Sequence, residues 1–101
     1  MLVLSGCRRA PATGPERGKE LFATQGCNAC HSTGAETLVC PGLRGVMGWS
    51  KPLPDGQPRN EANVKEWIKK GGTTKAGTMP SYPQLKPEEL EALVAYLRTL
   101  R

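Results

Sequence analysis

Residues 27–31 read Cys27-Asn28-Ala29-Cys30-His31, a Cys-x-x-Cys-His run from which the rest of the chain can be interpreted. Two thiols at this spacing can form thioethers with two vinyl groups on one edge of a porphyrin. The imidazole that follows the second thiol then falls beneath the ring, where it can ligate iron. The motif therefore predicts one covalently bound haem, attached at Cys27 and Cys30, with His31 as an axial ligand.

Two other kinds of site use similar residues. A thioredoxin-like redox motif also contains Cys-x-x-Cys, but it needs a βαβ context, and no strand-rich pattern surrounds this run. A zinc site could recruit Cys27, Cys30, His31 and Cys40. Structural zinc sites usually take their ligands from two pairs, and the adjacency of His31 to Cys30 makes tetrahedral ligation awkward. Haem is favoured, and zinc stays open as an alternative.

Length and composition predict one small domain with much loop. The chain has 101 residues, of which 38% are hydrophobic, with 12 Gly and 9 Pro. A chain this small often needs a prosthetic group for stability, and a haem offers apolar surface on which short helices can pack. The basic residues behind the net charge of +5 are scattered rather than clustered, which argues against a nucleic-acid partner.

The hydrophobic periodicity predicts an all-α domain with three main helices. The segments are a first helix over about 15–24, a loop over 32–60 with a helical turn near 43–46, a second helix over about 61–70, a glycine-rich loop from Gly71 to Gly77, and a third helix from Pro87 to about Leu100. A glycine inside a helix costs about 1 kcal/mol relative to alanine. We therefore expect Gly18 in the first helix to admit a close neighbour.

The second axial ligand cannot be a histidine of the same chain, because His31 is its single histidine. The candidates are Met47, Met79, an exogenous ligand or an open site. Met79 precedes Pro80, which biases it toward an extended backbone and stiffens the loop that presents its thioether. Met47 follows His31 too closely in sequence to cross the ring easily, so we expect it to be a packing residue. His31 and Met79 together would fill both axial positions, which favours electron transfer over catalysis.

These features, taken in order over residues 14–101, resemble a class I cytochrome c of the small bacterial monohaem type. The matching residues are Gly18 and Phe22, Cys27-x-x-Cys30-His31, Pro41-x-Leu43-x-Gly45, Met79-Pro80, and Tyr96 in the last helix. The resemblance implies that the three helices pack around the haem and that the first and last cross where Gly18 and Phe22 meet Tyr96. It also implies that the Pro41 carbonyl accepts a hydrogen bond from the ring of His31 and orients it.

Two aromatic residues, one arginine and one cysteine have roles that the sequence leaves open. Trp49 and Tyr82 are expected to line the haem pocket, with ordinary core packing as an equal alternative. Trp49 or Arg59 could donate a hydrogen bond to a haem propionate. The family usually has glycine before the proline that follows the haem motif, and this chain has Cys40 there. Its role stays open between a small buried residue and a disulfide partner of Cys7.

The N-terminus carries a second signal. Leu4-Ser5-Gly6-Cys7 resembles a bacterial lipobox, in which the cysteine is lipidated. The basic and apolar segments that should precede such a box are missing before it. We interpret residues 1–14 as a truncated lipoprotein-type export signal and tether, and residues 15–101 as the cytochrome c domain. An accidental resemblance is the alternative.

The function implied by the resemblance is that of a one-electron carrier between redox partner proteins of a respiratory chain, not an enzyme with a small-molecule substrate. The expected location is the periplasm or the outer face of a bacterial cytoplasmic membrane, with a lipid anchor at Cys7. No stretch is long and apolar enough to span a bilayer. The alternative is a cytochrome subunit that receives electrons for a multi-subunit dehydrogenase or oxidase.

Overall fold

The predicted helices are present at nearly the predicted bounds. The computed structural model describes residues 14–38, 40–74 and 77–101, and in these ranges α1 spans Gly14–Thr24, α2 spans Glu61–Lys70 and α3 spans Pro87–Arg98. The helical turn predicted near 43–46 lies slightly later, as a 3-10 turn at Val46–Gly48, and a further 3-10 turn occupies Cys27–Ala29.

The last helix is shorter than its apolar pattern predicts. After Arg98 the backbone tightens, and the N–H of Leu100 donates to the Leu97 carbonyl at 3.2 Å. The Leu100 carbonyl in turn accepts from the N–H of Gly45 at 2.6 Å. The chain end therefore leaves the helix because its carbonyl bonds to the loop between α1 and α2, while Leu100 still packs against the core.

The bounds of α2 and α3 follow from local capping. The side-chain oxygen of Asn60 accepts from the backbone N–H of Asn63 at 2.8 Å, which satisfies a donor that the first turn of α2 leaves free. Pro87 begins α3, where its missing N–H has no cost. The Glu89 carboxylate accepts from the backbone N–H of Lys86 at 2.8 Å and adds negative charge at the positive end of that helix.

Helices α1 and α3 cross in close contact at Gly18. A Cβ atom at this position would lie 2.0 Å from the carbonyl oxygen of Ala92 and 2.6 Å from Cβ of Tyr96. One turn further along α1, the ring of Phe22 meets the ring of Tyr96 edge-on, with centroids 5.5 Å apart. The predicted crossing is confirmed, and its closeness explains why a glycine stands within the helix.

Ion pairs connect the helices at the surface. Arg17 of α1 pairs with Glu89 of α3 at 3.1 Å, and Arg98 of α3 pairs with Glu61 of α2. Partly exposed pairs of this kind contribute about 0–1 kcal/mol each. The buried apolar side chains therefore dominate the packing, with Leu21 of α1 and Val94 of α3 the most enclosed.

The segment after α2 differs from the prediction of a glycine-rich loop. Strands β1 (Gly72–Thr74) and β2 (Gly77–Met79) pair antiparallel, with Gly72 opposite Met79. The hydroxyls of Thr73 and Thr78 lie 3.1 Å apart across the pair. The all-α prediction missed this hairpin because strands of this length are too short to show a period-two pattern.

Most of the predicted N-terminal signal and tether, including Cys7, lies outside the described residues. Within the described part of the chain, no helix has the length and apolarity needed to cross a bilayer.

We predict that Gly18→Ala destabilises the haem-loaded protein. The added methyl group meets the Ala92 backbone, which cannot rotate away, and overpacking of this kind costs about 1–3 kcal/mol. That cost outweighs the roughly 1 kcal/mol gained in helix propensity. Gly48→Ala is the matched control, because a Cβ there meets nothing within 4 Å. Urea unfolding measures both, and equal stability of the two variants would contradict the close crossing.

Candidate functional site

The helices enclose an apolar cavity of about 380 Å³. Each helix contributes to its walls, with Phe22 from α1, Val64 and Ile68 from α2, and Leu93 and Leu97 from α3. The remaining lining comes from the loop between α1 and α2 and from the hairpin. Cavities of a few hundred Å³ with apolar walls and few polar groups are typical of cofactor sites.

The Cys-x-x-Cys-His run lies at one wall of this cavity. The 3-10 turn at Cys27–Ala29 follows α1, and the N–H of His31 donates to the Cys27 carbonyl at 3.0 Å. Both Cys27 and His31 line the cavity. The turn therefore brings a thiol and an imidazole to one wall of the same apolar space.

The imidazole of His31 has a defined hydrogen-bond partner. Its Nδ1 lies 2.8 Å from the carbonyl oxygen of Pro41. A carbonyl oxygen can only accept, so Nδ1 is the donor, and in a neutral imidazole the lone pair is then on Nε2. The loop that supplies Pro41 is held by the N–H of Leu43, which donates to the Ser32 carbonyl at 2.9 Å.

Met79 reaches the cavity from the hairpin. It is the last residue of β2, has the extended backbone expected before Pro80, and lines the cavity. Gly71, which follows α2, has φ of +63°, and a Cβ there would lie 2.4 Å from the Met79 carbonyl oxygen. A glycine at 71 thus lets the end of α2 pack directly on the backbone that carries the thioether.

Met47 has the packing position expected of it. It is half-buried in the 3-10 turn at Val46–Gly48 and packs against the hydrophobic core. It is not among the residues that line the cavity. Of these two methionines, the structure therefore brings Met79 and not Met47 into the same cavity as His31.

One end of the cavity carries positive charge. Lys51 and Arg59 line it, and their cationic groups lie 4.9 Å and 5.1 Å from the ring centroid of Trp49. The Arg59 guanidinium also donates to the carbonyls of Lys51 at 3.1 Å and Pro52 at 3.3 Å. Burial lowers the pKa of Arg59, yet a guanidinium stays charged at any ordinary pH. The described lining includes no carboxylate to neutralise these cations.

The structure modifies two expectations for the aromatic residues. Trp49 lines the cavity, but its indole N–H donates to the Arg44 carbonyl at 3.0 Å and is already used. Tyr82 is not part of the described lining, and its hydroxyl donates to the Gln25 carbonyl at 3.3 Å. These contacts join residues that no local pattern relates to each other. Arg59 remains as the donor expected near a propionate.

The three described cysteines are free thiols with different surroundings. Burial raises the pKa of Cys27, an effect that a hydrogen bond with Tyr82 partly offsets. Burial also raises the pKa of Cys40, and the adjacent Cys30 thiol raises it further. The disulfide considered between Cys40 and Cys7 involves a residue outside the described ranges.

The zinc alternative finds no support in this geometry. Within residues 14–38, 40–74 and 77–101, no group of three or more His, Cys, Asp or Glu side chains is arranged to hold a metal ion. The four proposed zinc ligands therefore do not converge.

Comparison with known proteins decides the family. Residues 15–101 match the family model described as Cytochrome c. The chain belongs to the cytochrome c family. Its cofactor is the covalently attached haem c of that family, one per domain, and family membership implies electron transfer rather than catalysis.

Individual relatives are of two kinds. The chain is 36% identical over 85 residues to cytochrome c-551 of Ectopseudomonas mendocina, covering 83% of this chain and 98% of that protein. It is 30% identical over 86 residues to cytochrome c oxidase subunit 2 of Alkalihalophilus pseudofirmus, and 29% identical over 94 residues to the Bacillus subtilis protein of the same name. These matches cover 84% and 85% of this chain but span only 25% and 26% of the two oxidase subunits.

We predict that Arg59→Lys lowers the free energy of unfolding of the haem-loaded protein by about 1 kcal/mol, because a lysine cannot donate to two carbonyls from one planar group. Arg44→Lys is the matched control, since the side chain of Arg44 is exposed. Denaturant titration of both variants checks the difference. If the two variants have equal free energies of unfolding, the two hydrogen bonds donated by Arg59 do not stabilise the loop at 51–59.

Proposed function

We propose that this domain carries one electron at a time, with haem attached at Cys27 and Cys30 and its iron ligated by His31 and Met79. The observation that carries the proposal is the shared cavity, which Cys27, His31 and Met79 all line. The imidazole and the thioether are the axial donors that this type of haem requires, and Cys27 supplies one of its two thiols. Cys30, the second thiol, directly follows the turn at Cys27–Ala29.

His31 is prepared for ligation by its hydrogen bond. Donation from Nδ1 to the Pro41 carbonyl fixes the tautomer and limits rotation of the ring. The Nε2 lone pair is then the one that remains to bind a metal. The same hydrogen bond makes the imidazole a better electron donor, which tunes a bound iron.

Met79 is held by backbone structure rather than by a mobile loop. Its partner in the hairpin is Gly72, and the end of α2 packs against it through Gly71. If His31 and Met79 both ligate the iron, no coordination position is left for substrate or oxygen. That supports electron transfer between proteins over catalysis on a small molecule, and a thioether ligand raises the reduction potential.

The cavity also suits the porphyrin ring and the propionates of a haem, in addition to its iron. Its walls are apolar, while Lys51 and Arg59 supply positive charge at one end for two propionates. When bound, haem supplies an iron that alternates between the ferric and ferrous states. The apolar walls limit contact of that iron with water, which reduces the reorganisation that electron transfer requires.

A second candidate function is that of a cytochrome subunit that receives electrons for a multi-subunit oxidase or dehydrogenase. It is favoured by the similarity to the two oxidase subunit 2 proteins. The free-carrier function is favoured by the match to nearly the whole of cytochrome c-551. Native molecular mass discriminates between them, since a subunit extracts in mild detergent as part of a larger complex.

We also propose export to the outer face of a bacterial cytoplasmic membrane and anchoring through a lipid on Cys7. The support is the Leu4-Ser5-Gly6-Cys7 sequence. In cells that make the full precursor, Cys7→Ser should move the haem-bearing protein from the membrane fraction to the salt-soluble fraction. The anchor is disproved if the wild-type protein is already salt-soluble, or if the variant stays in the membrane.

The proposed ligand is tested by a pair of methionine variants. Met79→Ala should keep covalent haem but lower the reduction potential by on the order of 0.1 V or more, since axial ligands set haem potentials over about 0.8 V. Met47→Ala is the control and should keep the potential and the spectrum while losing some stability. Voltammetry and absorption spectra measure both, and an unchanged potential in Met79→Ala would remove Met79 from the site.

A further inference from the structure

Cys40 lies directly against Cys30, one of the two thiols proposed to carry the haem. The backbone N–H of Cys40 donates to the carbonyl of Cys30 at 2.9 Å. A backbone hydrogen bond of this length makes the two residues direct neighbours, and their thiols are close enough to interact with each other. The interaction of the two thiols also raises the pKa of Cys40, next to the larger effect of burial.

The surrounding loop keeps this pair together. His31 and Thr37 form an isolated antiparallel bridge, so the segment from Ser32 to Thr37 folds back on the end of the haem motif. The Ser32 hydroxyl donates to the Glu36 carbonyl at 2.7 Å within that loop. The contact between residues 30 and 40 is therefore part of a bonded loop and not an isolated approach of two side chains.

Cys27 has different neighbours from Cys40. It lines the cavity and contacts Tyr82, whereas neither Cys30 nor Cys40 is part of the cavity lining. Cys30 influences the pKa of both of the other cysteines, so it is the thiol with two possible partners. Cys40 has Cys30, and not Cys27, as its neighbouring thiol.

We propose that Cys40 is a competing thiol that forms a disulfide with Cys30 in the chain that does not yet carry haem, and thereby makes haem attachment depend on a reducing step. This inference rests on the proposed attachment of haem at Cys30. Thioether formation adds the S–H of Cys30 across a vinyl group, and a cysteine in a disulfide has no S–H to add.

The chemistry is a thiol–disulfide exchange with an external disulfide such as cystine. One thiolate of the pair attacks the external disulfide and releases one reduced thiol, and the second thiolate then attacks the mixed disulfide and releases the other. The Cys30 and Cys40 sulfurs are oxidised, the external disulfide is reduced to two thiols, and both protons end on those thiols. A dithiol reductant reverses the reaction.

The test uses the full precursor, exported in a bacterium that attaches haem covalently, with and without cystine in the medium. Intact mass measures the fraction of chains with haem. The haem-free fraction is alkylated and cleaved after Glu36 and Arg44, which separates Cys40 from Cys27 and Cys30 unless a disulfide joins them. Fragmentation of a joined peptide identifies the bonded cysteine.

Cystine should remove most of the covalent haem from the wild-type protein, and the haem-free chains should carry a Cys30–Cys40 bridge. Cys40→Ser should keep its haem at the same cystine dose, as should Cys40→Ala if the serine variant folds poorly. Thr33→Ala, an exposed change in the same loop, is the matched control and should respond like the wild type.

Several results would overturn the inference. They are a Cys27–Cys30 or Cys7–Cys40 bridge in the haem-free chains, a free Cys40 thiol there, or equal haem loss in the wild-type and Cys40→Ser proteins. Wild-type protein without covalent haem in the absence of cystine would overturn the proposed function as well. Failure of the Cys30–Cys40 disulfide and failure of haem attachment itself therefore give different results.

Discussion

The close crossing of α1 and α3 at Gly18 is the contact on which the rest of the domain depends. The helices are short, and helices of 11 and 12 residues are marginal on their own in water. Because Gly18 has no side chain, the backbone of α1 reaches the Ala92 carbonyl, and Phe22 can meet Tyr96 on one side of the crossing. Phe22 of α1 and Leu93 of α3 both contribute to the walls of the cavity.

The two proposed iron ligands differ in how far they lie from the haem-attachment cysteines in sequence. His31 follows a 3-10 turn directly after α1 and is oriented by one hydrogen bond to Pro41. Met79 is far away in sequence and is presented by a hairpin that rests on the end of α2 through Gly71. His31 is close in sequence to both thiols. Met79 reaches the cavity only once α2, the hairpin and the α1–α3 pair have assembled.

The parts of the structure that sequence could predict are those determined by local patterns. The helices follow from apolar periodicity, Pro87 and the glycines after α2, and the haem motif is contiguous. The hairpin at 72–79, the bond of Trp49 to Arg44 and the placement of Tyr82 outside the cavity lining were missed. The strands are too short to show a period-two pattern, and the Trp49 bond joins a side chain to a loop carbonyl five residues away, which no motif predicts. The position of Tyr82 depends on its contact with the distant Gln25, and the approach of Cys40 to Cys30 depends on how the loop between them folds.

The most direct measurement of the central claim is the absorption spectrum of the exported, mature protein, taken oxidised and reduced, before and after denaturing extraction of loose haem. The account predicts a c-type reduced spectrum that survives extraction and, in the native oxidised protein, the weak band of a methionine–iron bond. Covalent haem without that band would contradict ligation by Met79. Loss of all haem on extraction would contradict attachment at Cys27 and Cys30.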